Sequence, residues 1–139
     1  MLTGGCLCGG IRIEIDGSLG PIIYCHCSMC RHANGSSFAT NASVWTEQFR
    51  IVAGRELIKE YESSPGNLRA FCSRCGSPLY GTIKEAPSIR RVRLGTLNSV
   101  DRATSVAHIW VGSKSEWFDI TDSLEQFQEE PPGEYCAPA

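Results

Sequence analysis

Seven of the chain's eight cysteines fall into three tight groups: Cys6 with Cys8, Cys25 with Cys27 and Cys30, and Cys72 with Cys75. Thiols this close together either bridge or bind metal, and the compartment decides which. The opening "MLTGGCLCGG" lacks the charged and apolar regions of a secretion signal. The expectation is a cytoplasmic chain in a reducing setting, where clustered thiols hold metal more often than they form disulfides.

Each spacing has its own geometry. On an extended chain, side chains two apart project the same way, so Cys6 and Cys8 can offer both sulfurs to one ion. Gly4, Gly5, Gly9 and Gly10 let the backbone bend around it. "FCSRCGSPL" is a C-x-x-C turn followed by glycine, the pattern of a zinc knuckle, with Gly76 free to turn left-handed. Cys6, Cys8, Cys72 and Cys75 together make a four-thiolate set. Such a set closes the tetrahedron and leaves no room for substrate, so its zinc is structural and ties the N-terminus to the middle of the chain. The competing reading of Cys72 and Cys75, a redox pair, calls for a βαβ context that the sequence lacks.

The stretch "YCHCSMCR" holds the remaining three. Cys25 and Cys27 share a face at the end of a strand, and a turn through Ser28 and Met29 brings Cys30 back to them. Three thiolates hold a zinc ion one donor short. The fourth position goes to histidine, water or an incoming thiol. Structural zinc has four protein ligands and catalytic zinc usually three plus an exchangeable position, so the vacancy reads as an active site. Two closed alternatives stay open. In one, His26, His32 or His108 completes the set, although His26 lies between two ligands and points away on a strand. In the other, the clusters exchange partners, giving Cys25, Cys27, Cys72 and Cys75 in one site and Cys6, Cys8 and Cys30 in the other. Either way the expectation is two zinc ions per chain.

The elements that must position these thiols read as strands. "IRIEI" (11–15) alternates without a break. Short β-branched or aromatic runs follow at 21–25, 36–44, 49–52, 57–62, 68–72, 78–83, 88–97 and 104–111, most of them near a turn residue. In 88–97 the alternation turns Ile89, Val92 and Leu94 inward, with an irregularity near Arg91. "SSPGNL" (63–68) connects two strands as a hairpin, and "TDSLEQF" (121–127) is expected to form one helical turn. The fold class is all-β, a single domain over residues 1–130. Residues 131–139, rich in proline and acid, are expected to be a mobile tail that carries Cys136 as a bystander. The formal net charge is −2 with no basic run, so nucleic acid is not an expected partner. No apolar stretch reaches the roughly 18 residues that would span a membrane.

"GGCLCGGIRI", "YCHCSMCR" and "FCSRCGSPLY", in that order, resemble the family of glutathione-dependent formaldehyde-activating enzymes, which includes centromere protein V. "AHIWVGSKSEWFDITDSLEQF" resembles the family's closing segment. The resemblance implies a β-tent fold of small antiparallel sheets clasped by zinc, with the cysteines partitioned as above. It also implies a carbon–sulfur lyase that makes or breaks an adduct of a small-molecule thiol, glutathione, with formaldehyde. In this scheme the thiol takes the vacant position beside Cys25, Cys27 and Cys30 and attacks the aldehyde. His108 is the expected proton donor to the alkoxide, and Arg31 the cation that offsets the anionic site. Arg90, Arg91, Arg93 and Lys114 are candidates to hold substrate carboxylates, and Trp110, Trp117 and Phe118 to form core or cavity wall. The rivals are a non-catalytic zinc-stapled binding module and a redox sensor that uses the triad as a reactive thiolate cluster.

Overall fold

The computed structural model describes residues 1–100 and 103–139. Strand β1 (Leu2–Gly5) pairs antiparallel with β2 (Arg12–Ile15), and β2 with β5 (Phe49–Ala53), making a three-stranded sheet. The other strands are β3 (Ile22–Cys25), β4 (Ala39–Trp45), β6 (Ile58–Ser64), β7 (Asn67–Cys72), β8 (Pro78–Ile83), β9 (Ala86–Arg93), β10 (Ser105–Ile109) and β11 (Glu125–Gln126). They form an eight-stranded sheet in the order β11-β10-β3-β4-β9-β8-β7-β6. Pairing is antiparallel except where β10 joins β3 and β11.

Alternation places the core as the sequence implies. Ile11, Ile13 and Ile15 are buried while Arg12 faces solvent. These isoleucines pack with Val44, Leu79, Tyr80 and Val92 from the larger sheet. A second cluster gathers Ile23, Ala39, Ala107 and Ile109 around Cys25 and Cys30. Two of the triad sulfurs are therefore on side chains embedded in packed apolar surroundings, which fixes their direction.

Three local expectations change. Residues 121–127 do not form a helical turn: Glu125 and Gln126 add a parallel edge to β10 at Ala107 and His108. The backbone there finds partners in a neighbouring strand, which outweighs weak local helix propensity. The turn after Cys27 grows into a helix, α1 (Ser28–Asn34), capped at its start by Cys27 Sγ, which accepts the Cys30 N–H at 3.3 Å. Gly35, left-handed at φ 58°, ends it. In β9 the inward set includes Arg93 at 8% exposure, a charged side chain where only apolar ones were expected. Among the described residues, no helix is long and apolar enough to cross a membrane.

Candidate functional site

Cys6, Cys8, Cys72 and Cys75 meet, with all four sulfurs within 4.8 Å of one another. Cys6 Sγ and Cys8 Sγ are 3.4 Å apart, and Cys8 Sγ and Cys72 Sγ 3.9 Å. A tetrahedral zinc with bonds of about 2.3 Å separates its sulfurs by about 3.8 Å, so this set fits the ion. Two tight turns deliver the sulfurs. Gly9 and Gly76 are left-handed at φ 76° and 79°, and the Gly76 N–H donates to Cys72 O at 2.8 Å. Ser77 links the turns: its hydroxyl accepts the Leu7 N–H at 2.9 Å and lies 3.3 Å from Cys75 Sγ.

Cys25, Cys27 and Cys30 form the second cluster, again within 4.8 Å. Strand β3 ends at Cys25, and the first turn of α1 carries Cys30 back toward it. Among the described residues, no further histidine, cysteine, aspartate or glutamate atom joins either set. The three sulfurs line a cavity of about 340 Å³. Its lining also includes the apolar Ile23, Ile109 and Trp110 and the cations Arg69, Arg91 and Arg93.

The electrostatics of the triad are set by thiol–thiol contacts and by arginine. Hydrogen bonds from Cys25 and Cys27, with the guanidinium of Arg69, push the Cys30 thiol down to about 2. Arg69 Nη1 and Nη2 donate to Cys30 Sγ at 3.7 and 3.8 Å. The Cys25 thiol is pushed up, because it donates to its neighbours and is buried. Burial lowers the Arg93 guanidinium to about 10, and the nearby Cys30 opposes that shift.

The three histidines lie elsewhere. Successive strand residues face opposite sides, so Cys25 and Ile109 look into the cavity while Tyr24, His26 and His108 look away. His26 Nε2 and His108 Nδ1 are 2.8 Å apart, and His108 Nε2 and Asp122 Oδ2 2.9 Å. Burial lowers the His26 imidazole to about 4, and His108 and Lys114 reinforce this. The His108 hydrogen bond holds the Asp122 carboxyl below its usual range. His26, His108 and Asp122 therefore form one continuous hydrogen-bonded chain. Both His108 nitrogens are engaged in this chain, and His108 is not among the residues that line the cavity. His32 sits on the exposed side of α1, its Nδ1 2.7 Å from Ser28 O.

The other candidates also sort by face. Arg91 and Arg93 line the cavity. Arg90 lies across the rings of Phe49 and Tyr80, 4.8 and 4.6 Å from their centroids. Lys114 donates to the carbonyls of Ser115 and Phe118, and Arg31 acts on the His26 side rather than on the triad. Trp110 is cavity wall, Phe118 packs on Phe38, and Trp117 is 73% exposed and so neither core nor wall.

A family model described as glutathione-dependent formaldehyde-activating enzyme matches residues 1–113. The chain belongs to this family. A Halomonas elongata relative, provisionally named a glutathione-dependent formaldehyde-activating enzyme, is 31% identical over 135 residues, 91% of this chain and 84% of its own. A Colletotrichum graminicola protein with the same provisional name is 28% identical over 75 residues, 54% of this chain and 39% of that one. The crystal structure of a Rhodobacter sphaeroides protein superposes with a TM-score of 0.60 at 25% identity, covering 72% of this chain and 91% of that one.

The family match contains both cysteine clusters and ends before two residues that complete the cavity, Glu130 and Cys136. Their segment is held down by backbone. Trp110 N–H donates to Glu129 O at 3.1 Å, and Val111 N–H to Phe127 O at 3.0 Å. Trp110, left-handed at φ 56°, turns the chain here, and its indole N–H donates to Glu130 Oε1 at 3.2 Å. Cys136, read from sequence as a bystander, packs against the apolar cluster around the triad. Arg69 was missed in sequence. Its signal was a cation inside a strand that otherwise alternates toward Cys72.

Proposed function

We propose that this family member is a zinc-dependent carbon–sulfur lyase that forms or cleaves the adduct of a small-molecule thiol, such as glutathione, with an aldehyde such as formaldehyde. Cys6, Cys8, Cys72 and Cys75 would hold a structural zinc, and Cys25, Cys27 and Cys30 a catalytic one. The reading is carried by one observation: three clustered sulfurs open onto a cavity of about 340 Å³, with no fourth protein donor among the described residues. The sulfur separations in the four-cysteine set suit zinc, and the triad offers the same thiolate chemistry with one position left for exchange.

Bound there, zinc would supply a Lewis-acidic site that favours the ionised form of a thiol. The chain's own residues do the rest. Cys25 and Cys30 are fixed in the second apolar cluster, and with Cys27 they line the cavity that would admit the substrate. Ile23, Ile109 and Trp110 give the lining apolar surface that would hold the aldehyde carbon beside the thiol. Arg69 faces the sulfurs and offsets their negative charge. In the forming direction the thiol gives up its proton, the carbon–sulfur bond forms as the carbonyl π bond breaks, and the carbonyl oxygen takes up one proton. Glu130 is the carboxyl group on the cavity lining, and its Oε1 accepts from Trp110. Its Oε2 remains to hold that proton and, in the reverse direction, to remove it.

The test is nuclear magnetic resonance of glutathione mixed with ¹³C-formaldehyde, following exchange between free and adduct carbons. The zinc-loaded chain accelerates this exchange, and Cys27→Ser abolishes the acceleration. Exchange at the uncatalysed rate with the intact protein would refute the activity. The redox-sensor reading is favoured by Cys136 facing the same cavity. It requires mild peroxide to release one zinc reversibly, which the lyase reading does not.

A further inference from the structure

We propose that Arg69 and Arg93 form an anion-pairing subsite matched to a fourth, negatively charged sulfur at the triad, and so make the site prefer thiolates to neutral ligands. The proposal rests on the open-triad reading above and adds the residues that select what enters.

Arg93 carries the argument. It is 8% exposed, and its Nη1 donates to the neutral side chain of Asn41. Among the described ion pairs, none involves Arg93. A buried guanidinium without a counter-charge is strongly disfavoured, so an anion must face it. Arg93 lines the same cavity as the sulfurs of Cys25, Cys27 and Cys30, which become thiolates when they hold a metal. Arg69 is arranged in the same sense. Its Nε donates to Ser63 Oγ at 2.8 Å, which leaves both Nη groups turned to Cys30 Sγ. This fork suits a broad, polarisable anion.

Charge then decides the ligand class. A divalent ion among three thiolates has one net negative charge, and two arginines exceed it by one. A fourth thiolate brings the centre to two negative charges, equal and opposite to the pair. The other charged groups on the lining, Arg91 and Glu130, are opposite in sign to each other. Neutral water or imidazole in the fourth position would leave a positive charge unmatched beside the buried Arg93. The fit is therefore to an incoming anion, and the softness of a thiolate-bound divalent ion favours sulfur among anions.

The test uses cobalt-substituted protein, with its absorption read at fixed pH. It is titrated with 2-mercaptoethanol, which has no carboxylate, and separately with imidazole. Arg69 is half-buried, so its replacement opens no core cavity. The expected result is that Arg69→Gln weakens 2-mercaptoethanol binding by about 10- to 100-fold and imidazole binding by less than about 2-fold. Arg69→Lys, which keeps the charge, recovers most of the thiol affinity. Equal weakening of both ligands, unchanged thiol binding in Arg69→Gln, or no recovery in Arg69→Lys would overturn the proposal. If wild-type cobalt protein takes up neither ligand, the open-triad reading itself fails, a result separable from the other three.

Discussion

Replacing Cys75 by alanine tests the four-sulfur clip with little collateral damage. Cys72 is fully buried, so its loss would open a core cavity as well as a metal site, whereas Cys75 is half-exposed. The clip joins two turns distant in sequence: Cys8 and Cys72, whose sulfurs are 3.9 Å apart, are separated by 64 positions. Closing a loop of that length removes about 4 kcal/mol of chain entropy from the unfolded state. A domain of this size has only about 5–15 kcal/mol in total, so the clip accounts for a large share. Cys75→Ala should therefore lose up to about 4 kcal/mol in urea unfolding with zinc present. A chelator should destabilise wild type more than the variant, because the variant has one functioning clip fewer to lose. A loss below about 1 kcal/mol, the scale of an ordinary surface substitution, or an equal chelator effect on both proteins, would refute the reasoning.

Cys27→Ser should lower zinc from about two ions per chain to about one while the unfolding transition stays cooperative, since Cys27 is half-buried at the start of α1 and makes one cap contact; metal analysis with circular dichroism checks this. Glu130→Gln should remove one limb of the pH–rate profile of adduct exchange, and His108→Gln should leave that limb in place, because only Glu130 lines the cavity. Gly54→Ala should cost more stability than Gly66→Ala. Both glycines sit at φ 79°, a strain of about 1–2 kcal/mol for alanine, but a Cβ at Gly54 would also strike Gly10 O at 2.1 Å, while that at Gly66 meets nothing within 4 Å. Thermal unfolding of the two variants ranks them.

The strands and the cysteine grouping were legible because each rests on a local period. Ile11, Ile13 and Ile15 announce a half-buried strand, and C-x-C and C-x-x-C spacings limit where two sulfurs can point. Gly76 was legible for the same reason, since the knuckle demands a left-handed residue. What escaped depends on partners far along the chain. Helix α1 is too short to show a helical period, although Asn34 and Gly35 mark its end. Glu125 and Gln126 become a strand because β10 offers them an edge, which nothing in "TDSLEQF" reveals. Arg69 and Arg93 lie in strands like any solvated cation, and only the packing of β7 and β9 beside the triad gives them an anion to face. His108 lies off the cavity lining for a related reason. Its strand was placed correctly, but which face looks into the cavity depends on its pairing with β3.

The central claim is that seven sulfurs serve two tetrahedral ions and leave one position for a substrate thiol. X-ray absorption at the zinc edge measures this directly. Zinc-loaded protein should show about 3.5 sulfurs per zinc, seven cysteine sulfurs shared by two ions, with a light atom making up the remainder. Addition of a thiol should raise the value to about 4.0 and remove the light scatterer. A value of 4.0 before any thiol is added, or one that does not move when thiol is present, would contradict the account.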